Sequence, residues 1–269
     1  MSRNLIINAD DLGFTLGVNL AIQKAHLQGF LTHASLVANT DFFNHALSEI
    51  LPSCPKLIIG LHLNLTVGNA LIEGSSFSEN GKFNNTFLKL LFLRKSEKVL
   101  KELEAEIEAQ IVKLKSNGID IQHIDGNEHI HIIPSINKIV KKLAKKHSIE
   151  RIREINENWF TTLKFNLRTA SFANIIKLSL LKFLSIFNQN KNEVQFYSIL
   201  NTCEINAENL FNYLENTDYQ SVEIMLHPSF PNMEIDLKKW IPRLHGFLTS
   251  PYRTQELELC LNKKFEKYA

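Results

Sequence analysis

The run Leu5–Gly29, LIINADDLGFTLGVNLAIQKAHLQG, sets the fold class. Leu5 to Asn8 is an apolar segment of strand length, and two aspartates, Asp10 and Asp11, follow it closely. Val18 to Leu27 then carries apolar residues at helical spacing, with Gly29 just past its end, a usual place for a helix stop. A strand, an acidic turn and a helix in succession make one β–α unit.

The same alternation runs outward along the chain. Ala34–Val37, Leu57–Leu61, Ile121–Ile124, Val194–Ile199 and Val222–Leu226 read as further strands, and Ile152 starts a short one. Val99, Leu103, Ile107, Ile111 and Leu114 recur at steps of three and four, which marks one face of a helix. Lys113 and Lys115 lie in its last turn, and Gly118 stops it. Pro134 opens a helix to about Lys146, and Arg253 to Phe265 reads as a closing helix. Strands alternating with helices imply a parallel sheet with crossover helices, hence an α/β fold. No repeat, low-complexity linker or composition break divides the chain, so residues 1–269 are expected to form a single domain.

Of the 269 residues, 44% are hydrophobic and 22% charged, the proportions of a globular protein with a sizeable core. A net charge of +2 gives no reason to expect a nucleic-acid partner. Cys54, Cys203 and Cys260 are far apart and show neither a disulfide framework nor paired metal-ligand spacing. The N-terminal apolar run is too short for a signal peptide, and no run approaches the ~20 apolar residues of a membrane span. A cytoplasmic location is expected, peripheral at the inner membrane face. That second element comes from Thr161–Asn192, which contains no acidic residue and carries Lys164, Arg168, Lys177, Lys182 and Lys191 among Leu, Ile and Phe. It reads either as a helical hairpin with a basic outer face or as a surface resting on anionic lipid.

Reactive residue types gather at the ends of the strands, the face where parallel α/β proteins assemble their sites. Asp10 and Asp11 follow the first strand. Two adjacent carboxylates repel, and a divalent cation would relieve the conflict by binding one and leaving the other free as a base; a turn with capping aspartates is the plainer alternative. His62, in GLHLNLT, is either a core histidine or a metal ligand. The run His123-Ile124-Asp125-Gly126-Asn127-Glu128-His129-Ile130-His131 holds three histidines and two acids. If extended, its residues 123, 125, 127, 129 and 131 share one side. His227, in HPS after the last strand, is a candidate acid.

NADDLG, GLHLNLT, HIDGNEHIHIIP and MLHPS, in this order and spacing, resemble the YdjC-like (ChbG/HpnK) carbohydrate deacetylase family, across nearly the whole chain. The resemblance implies a distorted (β/α) barrel of the glycoside hydrolase/deacetylase type. It also implies one divalent metal ion, magnesium or zinc, and hydrolysis of the N-acetyl group of a sugar. Carried over, Asp11 and His62 are metal ligands, Asp10 the general base and His227 the general acid. At the family's third ligand position, usually histidine, this chain has Asn127. Either Asn127 binds through its amide oxygen, which suits magnesium better than zinc, or His129 takes the place. Asp125 is expected to orient a histidine, with His131 nearby; Arg153, and Arg151 beside it, could bind substrate phosphate or hydroxyls, or form a plain surface salt bridge.

The acid-free stretch, with Phe87–Phe92 as a second apolar segment, points to a lipid-linked N-acetylhexosamine such as a polyprenyl-phosphate sugar of envelope or lipid A modification. A homodimer is among the assemblies expected. Two other readings remain: a non-catalytic sugar- or lipid-binding protein on the same barrel, and a metal-dependent hydrolase of another bond such as a phosphoester.

Overall fold

Seven strands pair in the order β7-β6-β3-β2-β1-β9-β8, and every pairing is parallel. The computed structural model describes residues 4–166, 171–188, 194–202, 204–234 and 242–268. Arg168, Lys191 and Cys203, singled out above, lie outside these. The elements are β1 (Asn4–Leu12), α1 (Leu16–Gln28), β2 (His33–Leu36), α2 (Phe43–His45), β3 (Ile58–Leu63), β4 (Val67–Asn69), β5 (Lys82–Asn84), α3 (Phe87–Phe92), α4 (Glu97–Ser116), β6 (His123–Gly126), α5 (Pro134–Lys146) and β7 (Arg151–Ile152). They continue with α6 (Trp159–Asn166), α7 (Phe172–Ser185), β8 (Gln195–Tyr197), α8 (Ala207–Glu215), β9 (Ser221–Leu226), α9 (His245–Leu248) and α10 (Tyr252–Cys260).

Read in a circle, that order is a (β/α) barrel left open between β7 and β8, a curled sheet rather than a closed ring. Asn156 bridges the opening: its Nδ2 donates to the Val194 carbonyl at 2.8 Å, and its Oδ1 accepts from the Phe196 amide at 2.7 Å. The strand period of two sorts the side chains. Ile7, Ala9, Ala34, Leu36, Ile59, Leu61, Ile124, Val222, Ile224 and Leu226 belong to the main apolar core. The alternate positions Asn8, Ser35, His123, Asp125, Arg153 and Glu223 are buried and polar. Gly60 is set by this second layer, since a Cβ there would collide with the His123 ring.

Capping and turn chemistry place the helices. Thr15 Oγ1 accepts the Val18 amide at the start of α1, and Ser96 Oγ accepts the Val99 amide at the start of α4. Gly118 (φ 77°) follows α4. On the buried face of α4, Glu106 accepts the amides of Leu71 and Ile72, while Gln110 brackets the Asn64 backbone with bonds of 3.1 and 2.7 Å. These bonds tie the loop after β3, and hence His62, to a rigid helix. The antiparallel β4–β5 hairpin was not foreseen. The closing helix ends at Cys260, short of Phe265, and a 3-10 helix covers Lys263–Tyr268. Cys54 and Cys260 are buried free thiols.

Glu157 gives the fold a pH dependence. Its Oε2 accepts the amides of Ile199 and Leu200, at 2.7 and 3.4 Å. Burial outweighs those bonds and pushes its carboxyl from 4.5 up to about 7. A carboxyl raised on folding stabilises fully below its unfolded value and loses that contribution as pH rises through the folded one. Stability should therefore fall by about 3 kcal/mol between about pH 4.5 and pH 7 from this group. Glu157→Gln is expected to flatten that decline in denaturant titrations across the window; an unchanged slope would assign the effect elsewhere.

Candidate active site

A bulge makes the two aspartates neighbours on one surface. A regular strand would send Asp10 and Asp11 to opposite faces. Here Ala9 pairs with Ala34 and Leu12 with Leu36, three steps on β1 against two on β2. The surplus residue and the left-handed backbone of Asp11 (φ 74°) let both carboxylates line the same cavity, of about 310 Å³.

Behind Asp10 stands a buried arginine. Arg153 Nη1 and Nη2 donate to the two Asp10 oxygens, each at 2.7 Å, and Asn8 Nδ2 adds a third bond at 2.7 Å. Nη2 also lies 2.7 Å from Asp125 Oδ2, and Nε donates to Glu223 Oε1 at 2.7 Å. Burial opposes ionisation of Asp125, but the Arg153 and His62 charges hold it well below the usual carboxylate range. Glu223 sits at about 2 because Arg153 and Arg151 outweigh its burial. Arg153 is itself raised well above its ordinary value, its three carboxylates outweighing burial. Of the two readings of Arg153, the ion pair is the one the structure carries, inside the protein rather than at its surface: Arg153 is fully buried, its donors go to carboxylates, and it lies outside the cavity lining, which corrects the substrate-binding reading. Arg151 likewise pairs with Glu223.

His62 is fixed by strand register. His62 on β3 pairs with Asp125 on β6, so its Nδ1 lies 2.7 Å from Asp125 Oδ1. Its Nε2 then faces Asp11 Oδ1 at 3.5 Å. Burial works against a charged ring, but Asp125, Asp10 and Asp11 together raise His62 to about 9. Asp11 is lowered despite burial, by Arg253, whose Nη2 donates to it at 3.2 Å, and by His227 and His62.

The segment after β6 does not run extended, which corrects the single-sided reading of residues 123–131. The strand ends at Gly126, and Asn127–Ile132 turns into a 3-10 helix with Glu128 (φ 52°) and His129 (φ 62°) left-handed. Asn127 and His129 both line the cavity. Asn127 Nδ2 donates to Thr66 Oγ1 at 2.8 Å, which leaves its amide oxygen available. His129 Nδ1 is buried without a hydrogen-bond partner among the described residues. Burial, then the nearby Lys177 charge, holds that ring well below its ordinary value and so neutral. His131 sits behind the site, its Nε2 3.2 Å from the Arg153 carbonyl.

His227 follows β9 and lines the cavity. Its backbone amide donates to Glu256, whose Oε2 also lies 3.5 Å from the ring Nδ1, and Phe247 meets the ring edge-on at 5.4 Å. Arg253 and Glu256 went unrecognised in the sequence. A signal existed: each stands four residues before a buried apolar residue of the same helix, Leu257 and Cys260, so both charges share its inner face. Lys177 and Arg243, also in the lining, lie too far from the other residues in sequence to be grouped with them.

Asp10, His62 and Asp125 offer ligand atoms that all lie within 4.8 Å of one another, a group that could hold a metal ion. The Arg153 guanidinium already stands between the two carboxylates, so a cation there would meet a fixed positive charge. The other edge of His62 fits better. Asp11 and Nε2 face each other across 3.5 Å, and a cation could take the place of the proton this ring otherwise holds. Asn127, with its free amide oxygen, and His129 are further donors that line the same cavity.

The family model described as YdjC-like protein matches residues 4–269. A carbohydrate deacetylase of Brevibacillus brevis is 29% identical over 98% of this chain and 93% of its own. One of Oceanobacillus iheyensis is 32% identical over 87% of each chain. A chitooligosaccharide deacetylase of Proteus mirabilis is 27% identical over 86% of this chain and 83% of its own. In fold, the chain is similar to a crystal structure from Enterococcus faecalis V583 of a protein proposed to cleave cellobiose phosphate. The TM-score is 0.68 at 24% identity, over 100% of this chain and 94% of that one.

Proposed function

The chain belongs to the YdjC-like family, and from that premise we propose that it is a carbohydrate deacetylase that removes the N-acetyl group of a sugar. The observation that carries this reading is that Asp10, Asp11, His62 and His227 line one cavity together, with Asp10 clamped from behind by Arg153.

In the proposed reaction, Asp10 takes a proton from the attacking water, and the Arg153 fork fixes which way its oxygens point. His227 gives a proton to the departing sugar amine, and the bond from its backbone amide to Glu256 anchors the residue at the end of β9. Asp125 fixes the His62 ring through Nδ1. Asp11 and His62 would hold the divalent ion, magnesium or zinc, with Asn127 or His129 completing the set. Such an ion, when bound, supplies Lewis-acid polarisation of the acetyl carbonyl. The products are acetate and an amino sugar. A phosphoester hydrolase of the two-metal type is disfavoured, because Asp125 and Glu223 pair with Arg153 and lie outside the cavity lining.

The finer substrate reading is a lipid-linked N-acetylhexosamine met at the cytoplasmic face of the membrane; its support is that Lys177, from the acid-free stretch, lines the cavity. The test of the activity is acetate release from N-acetylglucosamine oligomers by purified protein, before and after chelation. Release that stops with chelator and returns with magnesium, manganese, zinc or cobalt is expected. No release with any of these ions would leave a binding protein on the same barrel.

A further inference from the structure

Eight of the thirteen exposed large apolar side chains among the described residues come from α3, α6, α7 and the turn after α7. Phe92 is 79% exposed, Phe160 88%, Phe172 77% and Ile186 71%, and the exposed rings of Phe183 and Phe187 meet each other at 5.5 Å. Isolated exposed apolar residues are ordinary; a concentration of aromatics is not. The three helices share one support, since Phe87, Leu91, Trp159, Leu163, Ile175 and Leu180 pack on the same small core around Leu178 and Leu181.

The stretches that carry these side chains hold charges of one sign. Phe87–Lys95 and Thr161–Asn192 contain no acidic residue, and they carry Lys89, Arg94, Lys164 and Lys182 among others. The surface also borders the cavity. Lys177 of α7 lines it, as does Glu128, whose carboxylate accepts the first amide of α3 at 3.1 Å. No helix among the described residues is long and apolar enough to cross a membrane.

We infer that α3, α6 and α7 form a docking surface for an anionic lipid bilayer, with the aromatics entering the headgroup boundary and the lysines meeting lipid phosphates. Aromatic side chains on a uniformly basic, acid-free surface match the chemistry of such an interface. A second copy of the chain would bring the same positive charge to the contact. The part of the inference concerning catalysis, that a lipid-anchored sugar enters the cavity from this side, rests on the deacetylase reading.

The test is sedimentation of the full chain with phosphatidylcholine vesicles, with and without phosphatidylglycerol. Binding is expected only with the anionic lipid, and weaker at high salt. A triple variant, Phe160→Ser, Phe172→Ser and Phe187→Ser, should lose about tenfold or more in vesicle affinity. It should keep wild-type acetate release from soluble oligomers, which reports an intact fold. Absence of wild-type binding, or equal binding by the variant, overturns the surface. So does a dimer, seen by light scattering, that dissociates in the variant. Vesicle binding without acetate release would sink the deacetylase reading and leave the docking surface standing.

Discussion

Asp10→Asn is expected to lower turnover for acetate release by about 10²- to 10⁴-fold, the range general-base removal produces. The amide has nearly the same shape but cannot accept the proton of an attacking water. The fold should survive, because Arg153 keeps Asp125 and Glu223 as partners. Measured kcat, with circular dichroism and a melting curve as controls, decides it. Near-normal release from a folded variant would remove Asp10 from the proton-transfer role and move attention to another acceptor in the cavity.

Arg153→Met should destabilise the protein by about 3–5 kcal/mol, the cost of stripping the partner from buried charge. Two of its carboxylate partners, Asp125 and Glu223, are no more than 2% exposed and lie outside the cavity lining, so water cannot take over its role there. Arg151 remains for Glu223, but Asp10 and Asp125 lose the guanidinium that bridges them. A melting temperature lower by about 10 °C is the expected reading, given ~2–4 °C per kcal/mol for chains near this size. Arg153→Lys should recover only part of it, since a single ammonium cannot reproduce the planar fork. A melting point within a degree or two of wild type would show that the carboxylates are satisfied in some other way.

Secondary structure was legible where a period repeats. The α4 face at Val99, Leu103, Ile107, Ile111 and Leu114 is buried as its spacing implies, and β9 covers Ser221–Leu226 against an expected Val222–Leu226. Legibility failed where one residue changes the geometry. Nothing in NADDLG announces the bulge that turns Asp11 toward Asp10, and nothing in GNEHIH announces two left-handed residues that end the alternation. Arg253 and Glu256 were read as part of a closing helix because inward-facing charges look like surface charges until their partners are known.

The order of strands and helices, and the grouping of reactive residues at strand ends, follow from the chain alone, because periodicity and turn chemistry are local. The company each reactive residue keeps was decided by tertiary structure. Arg153 lies 143 residues from Asp10, and Arg253 lies 242 from Asp11. Only the closing of strands into a curled sheet brings such charges within bonding distance. Their energies depend on a burial that exists nowhere in the unfolded chain.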